Sequence, residues 1–168
     1  MSLLRGLGLY GLEPVEDALL AGLVLGDPVL LVGDPGSAKT LLARRLAGAL
    51  GLNFIAYDAG KAVFEDLIGF PSPKALSEGR VEYAPTPLSL WDKEFILVDE
   101  LSRANPSTAN KWLEVIRSRQ IMGLPLPALK VILAAMNPPG GVGTVALDLA
   151  LADRFAFHVR VPTAWQMT

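Results

Sequence analysis

The sequence predicts an α/β domain in which helices cover both faces of a parallel sheet. Three observations carry this. Five short apolar runs stand out, and several are apolar at consecutive positions rather than alternating, the pattern of strands covered on both faces. Segments of helical period lie between them. The first run leads straight into a glycine-rich loop that opens a helix. Strand, helix and strand in alternation pack by right-handed crossovers.

In chain order, Val29–Val32 is the first expected strand. Leu41, Leu42, Leu46, Ala47 and Leu50 then form a helical stripe closed by Gly51. The second strand is Phe54–Tyr57. The stretch 69–83, rich in Pro, Gly and Ser, reads as an excursion carrying a small hairpin. Phe95–Val98 is the third strand, followed by a helix over 106–119 with Ala109, Leu113 and Ile116 on one stripe. A turn-forming insertion at 120–128 carries Gly123, Pro125 and Pro127. Val131–Ala135 and Phe155–Val161 are the fourth and fifth strands.

Composition narrows the chemistry. The 168 residues suffice for one core, and 51% of them are hydrophobic, far from disorder. No cysteine is present, which excludes disulfide frameworks, thiolate metal sites and cysteine nucleophiles. A single histidine, His158, makes a catalytic triad an unpromising reading. With 15 basic and 17 acidic side chains, the net charge of −2 gives no general attraction to nucleic acid or anionic membrane. The most apolar stretch, 18–32, is broken by Gly22, Gly26, Asp27 and Pro28, and a membrane span needs about 20 apolar residues. The first residues lack a signal-peptide layout, so a cytoplasmic location is expected.

The strongest motif is Gly33-Asp34-Pro35-Gly36-Ser37-Ala38-Lys39-Thr40, set between a strand and a helix that starts near Leu41. Its glycines let backbone N–H groups wrap an anion. The helix start adds roughly half a positive charge. Lys39 supplies a cation for β and γ phosphates, and Thr40 a hydroxyl for Mg²⁺. Ala38 stands where glycine is usual, which is tolerable if that position has right-handed helical dihedrals. The second motif, Phe95 to Glu100, is a buried strand ending in two carboxylates at the sheet edge where ligands bind. Asp99 suits Mg²⁺, and Glu100 suits the orientation and activation of water.

Together with Gly11-Leu12-Glu13-Pro14, Asp99 to Pro106, Ala134 to Pro138 and Leu147 to Phe155, these motifs resemble the AAA+ ATPases of the MoxR-type and dynein-related branch, where alanine before the lysine is familiar. The resemblance covers nearly the whole chain. It implies a P-loop nucleotide-binding fold with a five-stranded parallel sheet of order 5-1-4-3-2, spanning 1–163, with 164–168 as a tail or the start of a helical lid. It implies ATP and Mg²⁺ as cofactors, and a ring, a hexamer, acting on a client protein that often carries a von Willebrand A domain. It gives Asn137 the role of γ-phosphate sensor and Arg154 that of an arginine finger reaching a neighbouring subunit. Tyr10 or Gly11 would lie beside the adenine, and Phe70, Lys74 and Tyr83 of the excursion would either approach a substrate protein or pack on their own domain.

Alternatives stay open for several of these residues. Asn137 also suits a cap for the Pro138-Pro139-Gly140 turn, and Arg154 a surface pair with Asp153. Arg103 either meets a neighbour or stabilises a turn. Gly6-Leu7-Gly8-Leu9-Tyr10-Gly11 fits the dinucleotide fingerprint literally but follows no strand. Two other functions compete with the ATPase: a nucleotide-dependent scaffold with little turnover, and a DNA-linked motor or GTP-using restriction subunit. The low basic content disfavours the second.

Overall fold

The computed structural model describes residues 2–104, 106–138 and 153–163. Its centre is a five-stranded parallel sheet of β1 (Val29–Val32), β2 (Phe54–Asp58), β3 (Phe95–Asp99), β4 (Val131–Met136) and β5 (Phe157–Arg160). From one edge the order is β2, β3, β4, β1, β5, which is the expected 5-1-4-3-2 read from the other edge. Every pairing within it is parallel, with Leu31 opposite Ala135 and Ile96 opposite Ile132.

The consecutive apolar runs are explained by what covers them. Leu30, Ile96, Val98, Ile132 and Ala134 face a core shared with Trp112, Val115 and Ile116 of α3 (Pro106–Ser118). Val29, Leu31, Phe95, Leu97, Leu133 and Ala135 face the other way, onto Leu19 of α1 (Glu16–Leu25) and Leu42 and Leu46 of α2 (Lys39–Leu50). Alternate residues of one strand therefore enter different cores, and both must be apolar.

Three elements differ from the sequence expectation. The buried stripe of α3 runs through Thr108, Trp112, Val115 and Ile116, one residue off the expected Ala109 and Leu113, because the indole of Trp112 takes the centre of the contact. The fifth strand starts at Phe157, and Phe155 is buried just before it. Helix α1 gave no periodic signal, since its residues 18–25 are apolar all round except Gly22. That glycine is a packing requirement: a Cβ there would lie 2.3 Å from Val29 Cγ2.

The excursion at 69–83 does contain a hairpin. Phe70–Pro71 pairs antiparallel with Tyr83–Ala84 around a short helix, Pro73–Ser77. The insertion at 120–128 forms a second hairpin, Gln120–Ile121 with Leu124–Pro125. The two meet where Tyr83 Oη lies 4.0 Å from Met122 Sδ. Among the described residues no helix is long and apolar enough to cross a membrane. The lid or tail expected at 164–168, and the matched segment 147–152, lie outside the described residues.

Candidate functional site

Strand order assembles the site. β4 lies between β1 and β3, so Asn137, the residue after β4, falls between the loop that leaves β1 and the acids that end β3. All three features sit at the carboxyl ends of the strands, the edge at which open α/β sheets bind ligands. Pro35 to Leu41, Asp99, Glu100 and Asn137 line one cavity of about 300 Å³.

The loop is shaped by two glycines and one alanine. A Cβ on Gly33 would lie 2.7 Å from Ser37 Oγ and 3.0 Å from the Val161 carbonyl, so only glycine fits. Gly36 has φ of 82°. Ala38, at the N-cap of α2, has φ 61° and ψ 21°, so the right-handed dihedrals that would make alanine tolerable there at no cost are not present. The position before the lysine needs the left-handed conformation, and that is why glycine is usual there. Alanine bears a cost of about 1–2 kcal/mol. Ala38→Gly should therefore stabilise the chain, the relieved strain exceeding the roughly 0.4–1 kcal/mol of added unfolded-state entropy. We expect a melting temperature higher by about 1–4 °C. A thermal scan with no rise would contradict this account of the loop.

Lys39, the first residue of α2, is buried and folded back over the loop. Its Nζ donates to the Gly33 carbonyl at 2.7 Å, the Asp34 carbonyl at 2.9 Å and Ser37 Oγ at 3.3 Å. Burial pulls the ammonium below the ordinary lysine value, and the carboxylates of Asp99, Glu100 and Asp34 oppose that shift. The amine thus sits at the loop's mouth, hydrogen-bonded to two carbonyl oxygens and a hydroxyl and facing the acids.

Thr40 Oγ1 donates to Asp99 Oδ2 at 2.9 Å, and the other carboxylate oxygen, Oδ1, accepts the Glu100 N–H at 2.9 Å. The Thr40–Asp99 contact joins the two sequence motifs. A hydroxyl and a carboxylate in contact are hard oxygen donors of the kind Mg²⁺ selects, with water completing its shell. Among the described residues no three His, Cys, Asp or Glu side chains form a metal-binding group. The pair fits an ion that keeps most of its waters.

Glu100 adopts φ 53° and ψ 39°, a left-handed turn that directs the chain from strand into a one-turn helix, Leu101–Arg103. Arg103 closes that turn through its N–H to the Glu100 carbonyl at 2.8 Å, and its Nε lies 3.2 Å from Glu100 Oε2. This ion pair is not aligned as a hydrogen bond, so the buried Oε2 accepts none. Arg103 thus both stabilises the turn and holds one oxygen of Glu100.

The remaining expected residues separate. Gly33 and Asp34 line a neighbouring cavity of about 220 Å³ with Arg160 and Thr163. Arg154 lines none of the three cavities. Its Nε is buried without a hydrogen-bond partner, and no Asp153–Arg154 ion pair occurs among the described residues. Tyr10 is 67% exposed, and neither it nor Gly11 lines these two cavities or the larger one described next. Instead Gly6, Leu7 and Gly8 line a third and larger cavity, about 650 Å³, with Arg44, Arg45, Gly48, Ala49 and Leu41. Leu41 also borders the phosphate-loop cavity. The Gly6 to Gly11 pattern held this information, but as a wall rather than as a dinucleotide fingerprint.

Comparison with known proteins agrees with the geometry. The family model described as AAA domain (dynein-related subfamily) matches residues 28–155. Chaperone MoxR1 of Mycobacterium tuberculosis is 31% identical over 158 residues, 91% of this chain and 41% of its own length. A Cytophaga hutchinsonii structure described as a candidate ATPase superposes with TM-score 0.68 at 30% identity, covering 94% of this chain and 48% of its own. Thermotoga maritima RuvB, as its P216G mutant, shares the fold with TM-score 0.65 at 22% identity, over 93% of this chain and 48% of its own. The chain spans about half or less of the length of these relatives. On the match over 28–155 and the loop, acid pair and strand order that account for it, the chain belongs to the AAA family, dynein-related subfamily, alongside MoxR-type proteins.

Proposed function

We propose that the chain is a Mg²⁺-dependent, ATP-hydrolysing domain that assembles into a ring, a hexamer by its resemblance, and remodels client proteins in the cytoplasm. One observation carries the chemistry: Lys39, Thr40, Asp99, Glu100 and Asn137 meet in a single cavity although they come from three strand ends. Lys39 and the loop N–H groups hold the β and γ phosphates. Thr40 and Asp99 would hold Mg²⁺, which when bound neutralises charge on the transferring phosphoryl group. Glu100 orients the attacking water and takes its proton. The Asn137 amide reports the γ phosphate. Arg154, with its unpartnered Nε, acts in the site of a neighbouring copy, where a guanidinium fork suits charge spread over several oxygens. The base lies past Leu41, against the wall formed by Gly6 to Gly8.

A remodelling role rests on the MoxR relative's name as a chaperone, and a von Willebrand A domain is the client module that the resemblance suggests. The exposed Phe70 and the two contacting hairpins are the surface we assign to the client. A nucleotide-gated scaffold with little turnover is the second reading. The observation behind it is that Glu100 is already occupied by Arg103.

Phosphate release from Mg-ATP separates the two. With Arg154 acting in trans, the rate per chain should climb with protein concentration, and Arg154→Ala should flatten that rise. A rate at the level of buffer over the whole range would favour the scaffold, and a higher rate with GTP would reassign the substrate.

A further inference from the structure

Glu16 lines none of the three cavities, yet one carboxylate there holds an entire segment. Its Oε1 accepts the Leu3 N–H at 3.0 Å, and its Oε2 accepts the Leu4 N–H at 3.0 Å and the Ser2 hydroxyl. Ser2 Oγ in turn accepts the Arg5 N–H at 3.2 Å. These bonds satisfy the open donors of the short helix Leu3–Gly6, and together they hold the Glu16 carboxyl below the usual carboxylate range. We infer that Glu16 is a positioning residue for the nucleobase, because it clasps the segment whose far end walls the cavity next to Leu41.

The inference rests on the nucleotide reading and adds to it what orients that wall. A helix of four residues has no stability of its own, so its placement must come from outside. At its far end the Gly8 N–H bonds to the Arg5 carbonyl and the Leu9 N–H to the Leu4 carbonyl, with Gly8 at φ 75°. This is a glycine-closed terminus whose hydrophobic pair, Leu4 and Leu9, is buried in the core. Those two leucines fix the depth of the segment. Glu16, the first residue of α1, fixes its other end, with an exposed Arg5–Glu13 ion pair beside it.

The wall itself is bare backbone. A Cβ added at Gly6 or Gly8 would meet nothing within 4 Å, and Gly6 has no positive φ. Neither packing nor conformation asks for glycine at position 6, and glycine in a helix costs about 1 kcal/mol against alanine. What its absent side chain leaves is room for a flat group to approach the main chain. Leu41 borders both this cavity and the phosphate-loop cavity, so a nucleotide with its phosphates on Lys39 brings its base to this place.

The test compares two probes that differ only in having a base: Mg-ATP and Mg-tripolyphosphate, titrated by calorimetry into wild type, Glu16→Ala and Glu16→Gln. Glu16→Ala should weaken ATP about 3–10-fold and leave tripolyphosphate unchanged. Glu16→Gln, which keeps one acceptor oxygen, should fall between. Amide exchange of residues 3–8 should quicken in the same order. Equal weakening of both probes, or faster exchange with ATP affinity intact, overturns the role of Glu16. If wild type binds neither probe, the nucleotide reading itself fails and the inference with it. Binding of tripolyphosphate without any gain for ATP would sink the inference while sparing the phosphate site.

Discussion

Lys39→Ala is expected to abolish measurable ATP binding while leaving the sheet folded. Among the described residues Lys39 is the only lysine lining the cavity, and its charge would face the β and γ phosphates at close range. Hydrogen bonds to charged groups contribute about 1.5–3 kcal/mol each. Two such contacts amount to about 3–6 kcal/mol, or roughly two to four decades in affinity. There is a second loss before any ligand arrives. Gly33 O, Asp34 O and Ser37 Oγ all give up their donor, so the empty loop relaxes from the shape that suits an anion. Calorimetry with Mg-ATP reads the binding, and a circular-dichroism melt of the same sample shows that the fold has survived. An affinity within threefold of wild type would mean that phosphates do not sit on this loop.

What the sequence disclosed follows from which forces are local. Strands buried on both faces write themselves as apolar runs, so β1, β3 and β4 were legible, and the apolar runs of β2 and β5 marked the two edge strands, which are only partly buried. Gly33 to Thr40 and Asp99-Glu100 were legible because their chemistry needs particular atoms at particular spacings. The strand order was not readable from the residues, and came from the resemblance. Helix α1 was invisible to periodicity because residues 18–25 are apolar on every side, and its packing face is revealed only where Gly22 meets Val29. The left-handed backbone at Ala38 was not legible, because the cost of a methyl group there depends on a dihedral that the loop imposes. The stripe of α3 shifted by one residue for a similar reason, since the position of Trp112 is decided by the opposing sheet face and by Tyr57, whose ring lies 5.3 Å away. The contact between Glu16 and Ser2 to Leu4 spans at least twelve residues and has no motif to announce it.

Glu100→Gln is expected to separate binding from turnover. The amide matches the carboxylate in size, so the cavity keeps its shape and Thr40 and Asp99 keep their contact. What is lost is a group able to take a proton from water, and general-base catalysis contributes about 10²–10⁴ in rate. Phosphate release should fall by that factor, while the affinity for ATP should hold or rise, because one negative charge has left a site that binds a polyanion. The ion pair with Arg103 is lost as well. Arg103 is half exposed, so that pair contributes about 0–1 kcal/mol and the melting temperature should barely move. The stalled chain should therefore accumulate in its ATP-bound form, which makes it the material for capturing a ring or a client. Turnover within about threefold of wild type would remove Glu100 from the reaction. If the affinity for ATP fell together with the rate, Glu100 would be a binding residue, and the assignment of the water to its carboxylate would have to be withdrawn.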